Sequence, residues 1–276
     1  MIGIMQGRLS VPKTNLIQEF PWETWQNEFL LANKAGFKLI EWTLDYEKID
    51  INPILIKSQQ TKIQRLSESN EIQIKSITLD NFVVAPLHKV NPVSNLTSSV
   101  ETLFWIIDSL VNTTIKILVL PIVNENGGEN SRTLSKLIEI MDQIQNKLKV
   151  NGMYLAIECE LDLNAIDYLV KNLYHYENIG FNFDIGNSAS LNNNQTTEIF
   201  MYGNKLFNVH IKDRVLKGKT VPLGFGNANF KRVFQDLKEI NYKNNYIIQA
   251  ARVPNQSEIF TNKSYLEFCI ENGCEN

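Results

Sequence analysis

The chain has 276 residues, 43% of them hydrophobic, and a net charge of −3 at pH 7. That is ample apolar material for a large α/β core, yet no window approaches the roughly 20 consecutive apolar residues of a membrane span. No block of Lys and Arg supplies an electrostatic footprint for nucleic acid, so neither nucleic acid nor a bilayer is an expected partner. The three cysteines, Cys159, Cys269 and Cys274, are odd in number and lack zinc-ribbon spacing. They read as reduced thiols, which implies a cytoplasmic location.

Residues 1–10, MIGIMQGRLS, lack the basic start and long apolar centre of a secretion signal. They read as a first strand, Ile2–Gln6, followed by a loop with Arg8 and Pro12. Trp22–Ala35 repeats Trp25, Phe29 and Ala32 at helical spacing and stops at Gly36. Strand two is Lys38–Trp42, a long helix covers Pro53–Glu68, and strand three is Ile74–Asp80. Residues 81–94 form a loop with two prolines, long enough to touch a substrate. A helix over Val100–Val111, strand four at Ile115–Pro121 and a Gly127-Gly128 turn lead into a helix over Ser131–Leu148.

Strand five is Met153–Glu158, followed by a helix over Ala165–Tyr174. Strand six is Ile179–Asp184, with a helix near Thr196–Gly203, and strand seven is Leu206–Lys212. The loop 213–228 leads to a helix over Phe230–Ile240, strand eight at Tyr246–Ala250 and a last helix over Gln256–Ile270. Eight strands alternating with helices within about 250 residues predict a single (β/α)8 TIM barrel over residues 1–276, in preference to a doubly wound sheet.

Three strands carry the chemistry. The apolar runs MYLAIE, IGFNFD and LFNVHIK place Glu158, Asp184 and His210 near their ends, 26 residues apart in each interval. One βα unit needs about that length, so the three residues fall at the same end of one sheet. Period-2 alternation sets Asn182 and Asp184 against Phe181 and Phe183, and Asn208, His210 and Lys212 against Phe207, Val209 and Ile211. A polar face on a buried strand is costly unless its groups are paired or bind something. Singly, each is readable as a hydrogen-bonded core residue; three in register point to a site.

Catalytic groups of a parallel barrel gather at the C-terminal strand ends. Gln6, Glu41, Asp80, Glu158, Asp184, His210, Lys212, Gln249 and Arg252 all fall there. Two carboxylates and an imidazole suit Mn²⁺, Mg²⁺, Zn²⁺ or Fe²⁺ with open positions for substrate, and Gln249 offers a fourth, neutral oxygen. Glu41 and Asp80 are equally readable as hydrogen-bonding partners at the mouth. His175, at a helix end, reads as a surface residue, and His88 as surface or substrate-facing.

These stretches resemble the xylose isomerase-like TIM barrels, the superfamily of sugar and sugar-phosphate isomerases and epimerases that includes endonuclease IV. The resemblance runs from GIMQGRL through AGFKLIEW, LAIECEL, FDIGNSAS and VHIKDR to VPLGFGNANF and IIQAAR. It implies that Glu158, Asp184, His210 and the strand-eight residue Gln249 hold one divalent ion, Mn²⁺ first, with Zn²⁺, Mg²⁺, Fe²⁺ or Co²⁺ as alternatives. It also implies that Glu158 is the proton-transfer base. Lys212 would steady an enediolate, and Gln6, Arg8, Glu41, Asp80, Asn187, Asp213 and Arg252 would contact a sugar or sugar phosphate. Asp213 could instead orient Lys212 or His210.

One departure from the family pattern matters. Ketose 3-epimerases of this superfamily carry a glutamate where this chain has Gln249, and an amide cannot take a proton at neutral pH. Isomerisation through a cis-enediol needs a single base, so isomerase stands beside epimerase; Glu160, Asp213 or a metal-bound water are the possible substitutes. For a phosphate ester, the loop with Arg214, Lys217, Lys219, Gly224 and Gly226 is one candidate and Arg252 a better one. The rivals are a non-catalytic sugar-binding barrel, which Gln249 would mark, and an endonuclease IV-like nuclease. The nuclease needs a histidine-rich zinc cluster, and this chain has three histidines in all. A homo-oligomer is left open.

Overall fold

The computed structural model describes residues 1–12, 18–87, 99–122, 131–253 and 256–274. In chain order the strands are β1 (Ile2–Met5), β2 (Ile40–Thr43), β3 (Ser76–Thr78), β4 (Ile117–Ile122), β5 (Tyr154–Cys159), β6 (Ile179–Asp184), β7 (Leu206–Ile211), β8 (Asp213–Arg214), β9 (Thr220–Val221) and β10 (Asn245–Ile248). The α-helices are α1 (Asn27–Ala35), α2 (Lys57–Asn70), α3 (Asn81–Val84), α4 (Ser99–Leu110), α5 (Ser131–Val150), α6 (Leu163–Leu173), α7 (Ile185–Ser190), α8 (Gln195–Tyr202), α9 (Phe230–Glu239) and α10 (Glu258–Glu271). Eight strands close a parallel barrel in the order β1-β10-β7-β6-β5-β4-β3-β2, and β8 pairs with β9 in a small hairpin beyond β7. The expected closed α/β barrel is thus the observed architecture.

Register decides which side chains look inward. Cα partners run Glu158↔Asn182, Asn182↔Asn208, Asp184↔His210, His210↔Ile247 and Met5↔Glu41, so these residues share the inner face. Met5, Leu39 and Ile247 form a small apolar plug inside the barrel. Toward the mouth the interior turns polar, with Glu41, Ser76, Asn182, Asn208 and His210 all buried. The outer faces of the strands meet the helices. Leu103, Ile106, Ile107 and Leu110 of α4, and Phe230, Val233, Phe234 and Leu237 of α9, recur at three- and four-residue intervals in the continuous outer core.

Element ends shift from the sequence reading where local packing wins. The helix expected from Trp22 starts at Asn27, because residues 22–26 are turns. Pro21 O accepts from Thr24 and Trp25 N–H there, and Trp22 and Trp25 lie against Phe20 and Trp42. The helix expected from Pro53 is a single 3-10 turn, Pro53–Leu55, followed by α2. Two short helices interrupt expected loops, α3 directly after Asp80 and α7 directly after Asp184. The Gly127-Gly128 turn and His88 lie outside the described residues.

Candidate active site

Glu158, Asp184 and His210 project from the inner faces of β5, β6 and β7, which are neighbours in the barrel. Each offers one ligand-type atom, and these atoms all lie within 4.8 Å of one another. Asn182 Nδ2 donates to Glu158 Oε2 at 2.9 Å and Asn187 Nδ2 to Oε1 at 3.2 Å, so the carboxylate is held from two sides. Asp184 Oδ1 accepts from the Asn187 backbone N–H at 2.8 Å and caps α7. Its other oxygen lies 3.2 Å from Lys212 Nζ, which is also 3.4 Å from Gln249 Oε1.

His210 is wholly buried between two carboxylates. Its Nε2 stands 2.7 Å from Glu41 Oε1. Its Nδ1 lies 2.8 Å from Glu158 Oε2 but lacks the alignment of a hydrogen bond. Burial alone would push the imidazolium pKa down; Glu41 and Glu158 outweigh it and hold the pKa well above the usual histidine range. Behind the ring, Ser76 Oγ and Asn208 Nδ2 donate to Glu41 Oε2 at 2.6 and 2.9 Å. An imidazole nitrogen anchored by a carboxylate, with the other unbonded and facing two further carboxylates, is a donor set that fits a divalent cation. Across the mouth, burial pushes the Asp80 carboxyl up to about 7 despite a hydrogen bond from Thr78, and Glu158 adds to the rise.

The profile of xylose isomerase-like TIM barrels matches residues 29–261. The chain belongs to that family. Among its relatives, an L-ribulose-5-phosphate 3-epimerase (UlaE) of Escherichia coli is 24% identical over 243 residues, covering 82% of each chain. The protein of that name from Shigella flexneri serotype 5b is 23% identical over 242 residues, again covering 82% of each. A D-allulose 3-epimerase from Methylomonas sp. superposes with a TM-score of 0.72 at 15% identity, over 98% of this chain and 97% of that one. A xylose isomerase domain protein from Planctomyces limnophilus gives 0.71 at 16% identity, over 98% and 95%. At such identities the structural likeness speaks for the fold.

Within this xylose isomerase-like barrel several residues sit differently from the sequence expectation. Glu41, readable from the sequence as a substrate contact or as a hydrogen-bonding partner at the mouth, is 0% exposed and takes the second role, with His210 on one oxygen and Ser76 and Asn208 on the other. Asp213 is also sealed from solvent: its carboxylate accepts from the backbone N–H groups of Gly224, Gly226 and Ala228, which makes it the anchor of the 223–228 loop. Arg252 is spent on Glu258 and on the carbonyls of Gly7 and Ser10. Arg214 is spent on Glu160, Asn187 and Gly218 O. Lys217 and Lys219 are exposed on the β8–β9 hairpin.

Gln6 and Arg8 follow β1 at the mouth, both buried. His175 is exposed after α6. The orienting roles of Asn182 and Asn208 went unassigned in the sequence, although strand alternation put both on the polar face. Among the described residues no helix is long and apolar enough to cross a membrane.

Proposed function

We propose that this protein is a divalent-metal-dependent sugar or sugar-phosphate isomerase or epimerase that moves a proton at the carbon next to a carbonyl through an enediolate. The gathering of Glu158, Asp184 and His210 within 4.8 Å carries the reading, and the relatives named as sugar epimerases support it. These three residues would hold the metal, Mn²⁺ first, with Zn²⁺, Mg²⁺, Fe²⁺ or Co²⁺ as alternatives. Such an ion supplies charge stabilisation for oxygen atoms that turn anionic as the α-proton leaves.

The chain's own groups do the rest. Glu158 takes the proton; the Asn182 and Asn187 amides keep its carboxylate in one orientation, as efficient proton transfer requires. Lys212, 15% exposed at its side chain and tethered to Asp184, presents a positive charge to the developing anion. Gln249 is a neutral group beside that lysine, and orients a hydroxyl in place of moving a proton.

Epimerisation needs a second proton carrier. Glu160 is paired with Arg214 at 2.6 Å and Asp213 is sealed in its loop, so neither is free. Asp80, at the C-terminal end of β3 and holding its proton up to about pH 7, fills that role. The test is turnover of ketoses and ketose phosphates in D₂O with Mn²⁺. Deuterium enters the substrate at the carbon bearing the abstracted proton, and Glu158→Gln stops both exchange and turnover. Turnover without exchange would point to a hydride shift, and an active Glu158→Gln would remove Glu158 as base.

A further inference from the structure

Five side chains inside the barrel close a circuit of contacts. Glu41 Oε1 meets His210 Nε2 at 2.7 Å, and His210 Nδ1 lies 2.8 Å from Glu158 Oε2. Asn182 Nδ2 donates to that same Glu158 oxygen at 2.9 Å. Asn208 Nδ2 donates to Asn182 Oδ1 at 3.0 Å and to Glu41 Oε2 at 2.9 Å, which completes the path. Asn208 is wholly buried, and its one amide serves both the partner of His210 and the partner of Glu158.

Amide polarity gives that circuit a direction. The Asn208 nitrogen carries two hydrogens and spends one on each neighbour. Asn182, with its oxygen so occupied, turns its own NH2 group to Glu158. Glu41 takes Asn208 and Ser76 on Oε2 and keeps Oε1 for His210. Asn208 Oδ1, by contrast, has no hydrogen-bond partner among the described residues. A buried carbonyl in that state is costly, and an apolar side chain would fill the same space without the cost. An asparagine is explained here by its donors and not by its packing.

An irregularity in the backbone brings the two amides face to face. Between β6 and β7 the register runs Phe181↔Leu206 and then Asn182↔Asn208, so Phe207 is the extra residue of a bulge. Without that shift Asn182 would oppose Phe207 and Asp184 would oppose Val209; a bulge re-aims side chains in this way. Gly180 makes room for it, since a Cβ there would run into the Lys205 carbonyl and the Phe207 ring. We propose that Asn208 is a positioning residue that couples the base Glu158 to the ligand His210, acting on one through Asn182 and on the other through Glu41. The inference rests on the proton-transfer reading above and adds to it a residue that works through two others.

Three variants separate donors from volume. Asn208→Leu fills the space without a donor, Asn208→Ala leaves a cavity without one, and Asn208→Ser leaves a similar cavity but keeps an O–H. Mn²⁺ affinity, read by competition with a chromogenic chelator, falls about 10- to 100-fold in Leu and Ala variants alike, and Ser recovers part of the loss. Tm follows volume instead, with Leu above both Ser and Ala. The chain has three histidines, so nitrogen-15 histidine labelling of the metal-free protein resolves the buried His210 Nε2–H. That signal is sharp in the wild type and the Ser variant and broadened in Leu and Ala. Affinities that rank with Tm, or an affinity and a His210 signal unchanged in Leu and Ala, overturn the role. Neither readout needs a substrate. Donor-ranked affinities with no turnover of any ketose keep Asn208 and end the proton-transfer reading. Glu158-dependent turnover with affinities indifferent to position 208 does the reverse.

Discussion

His210 Nε2 lies 2.7 Å from Glu41 Oε1, and both side chains are at 0% exposure. The two residues are 169 apart in the chain, on β7 and β2, and meet inside the barrel. Through this contact Glu41 fixes the ring's orientation and makes it more basic. Glu41→Gln keeps the shape and weakens that effect, so Mn²⁺ affinity should drop about 10- to 100-fold, the usual cost of losing such a partner. Competition with a chromogenic chelator measures it, and unchanged affinity would show Glu41 to be only a packing group.

Asp80 supplies the discriminating variant between epimerase and isomerase. Asp80→Asn keeps the size and the position beside Thr78 but carries no transferable proton. Proton transfer by a positioned side chain is worth about 10²–10⁴-fold, so epimerisation should fall by that amount while Glu158-dependent exchange of the α-proton with D₂O continues. NMR of the recovered substrate reads both. Equal loss of exchange and epimerisation would place Asp80 in substrate binding.

Much of this site was open to reading before any coordinates. Alternation in β5, β6 and β7 and the repeated interval between Glu158, Asp184 and His210 depend on local geometry, which the residue pattern carries directly. What Glu41, Asp213 and Arg252 do depends on which group happens to neutralise each charge. Glu41 meets residues from β3 and β7, and Asp213 meets a loop that curls back onto it, and neither closure leaves a periodic trace. Helix α7 was hidden because IGNSAS has the composition of a turn; Asp184, capping it, makes the helix. Arg8 and Arg252 look alike on paper, and only their surroundings show Arg252 bonded to Glu258 and two carbonyls while the buried Arg8 guanidinium has no hydrogen-bond partner among the described residues.

Buried Glu198 makes stability depend on pH. It accepts from Ser188, Tyr202 and Asn193, but burial wins and pushes its pKa from 4.5 up to about 7. The folded protein then keeps a proton that the unfolded chain has released. Its contribution is complete below about pH 4.5, declines as the pH rises toward 7 and is flat above, a swing on the order of 3 kcal/mol. Urea unfolding at pH 5 and pH 8 should show Glu198→Gln losing less stability across that interval than the wild type. Identical slopes would mean that Glu198 ionises normally.

Gly226 is where the 223–228 loop passes over Asp213, and a Cβ there would run into the Asp213 carboxylate. Gly226→Ala must displace a loop whose N–H groups that carboxylate binds. A loss of about 1–3 kcal/mol is expected, visible as a lower Tm. Gly273→Ala is the control: it removes a glycine at φ 98°, with nothing within 4 Å of the added Cβ, so it tests backbone strain alone.

Metal content tests the central claim most directly: Glu158, Asp184 and His210 share one divalent ion at the mouth of the barrel. Wild-type protein loaded with Mn²⁺ and dialysed is compared by atomic emission with Asp184→Asn and His210→Gln. One equivalent per chain in the wild type and little in either variant is the predicted result. Wild-type protein that retains no metal, or variants that retain as much as the wild type, would contradict it.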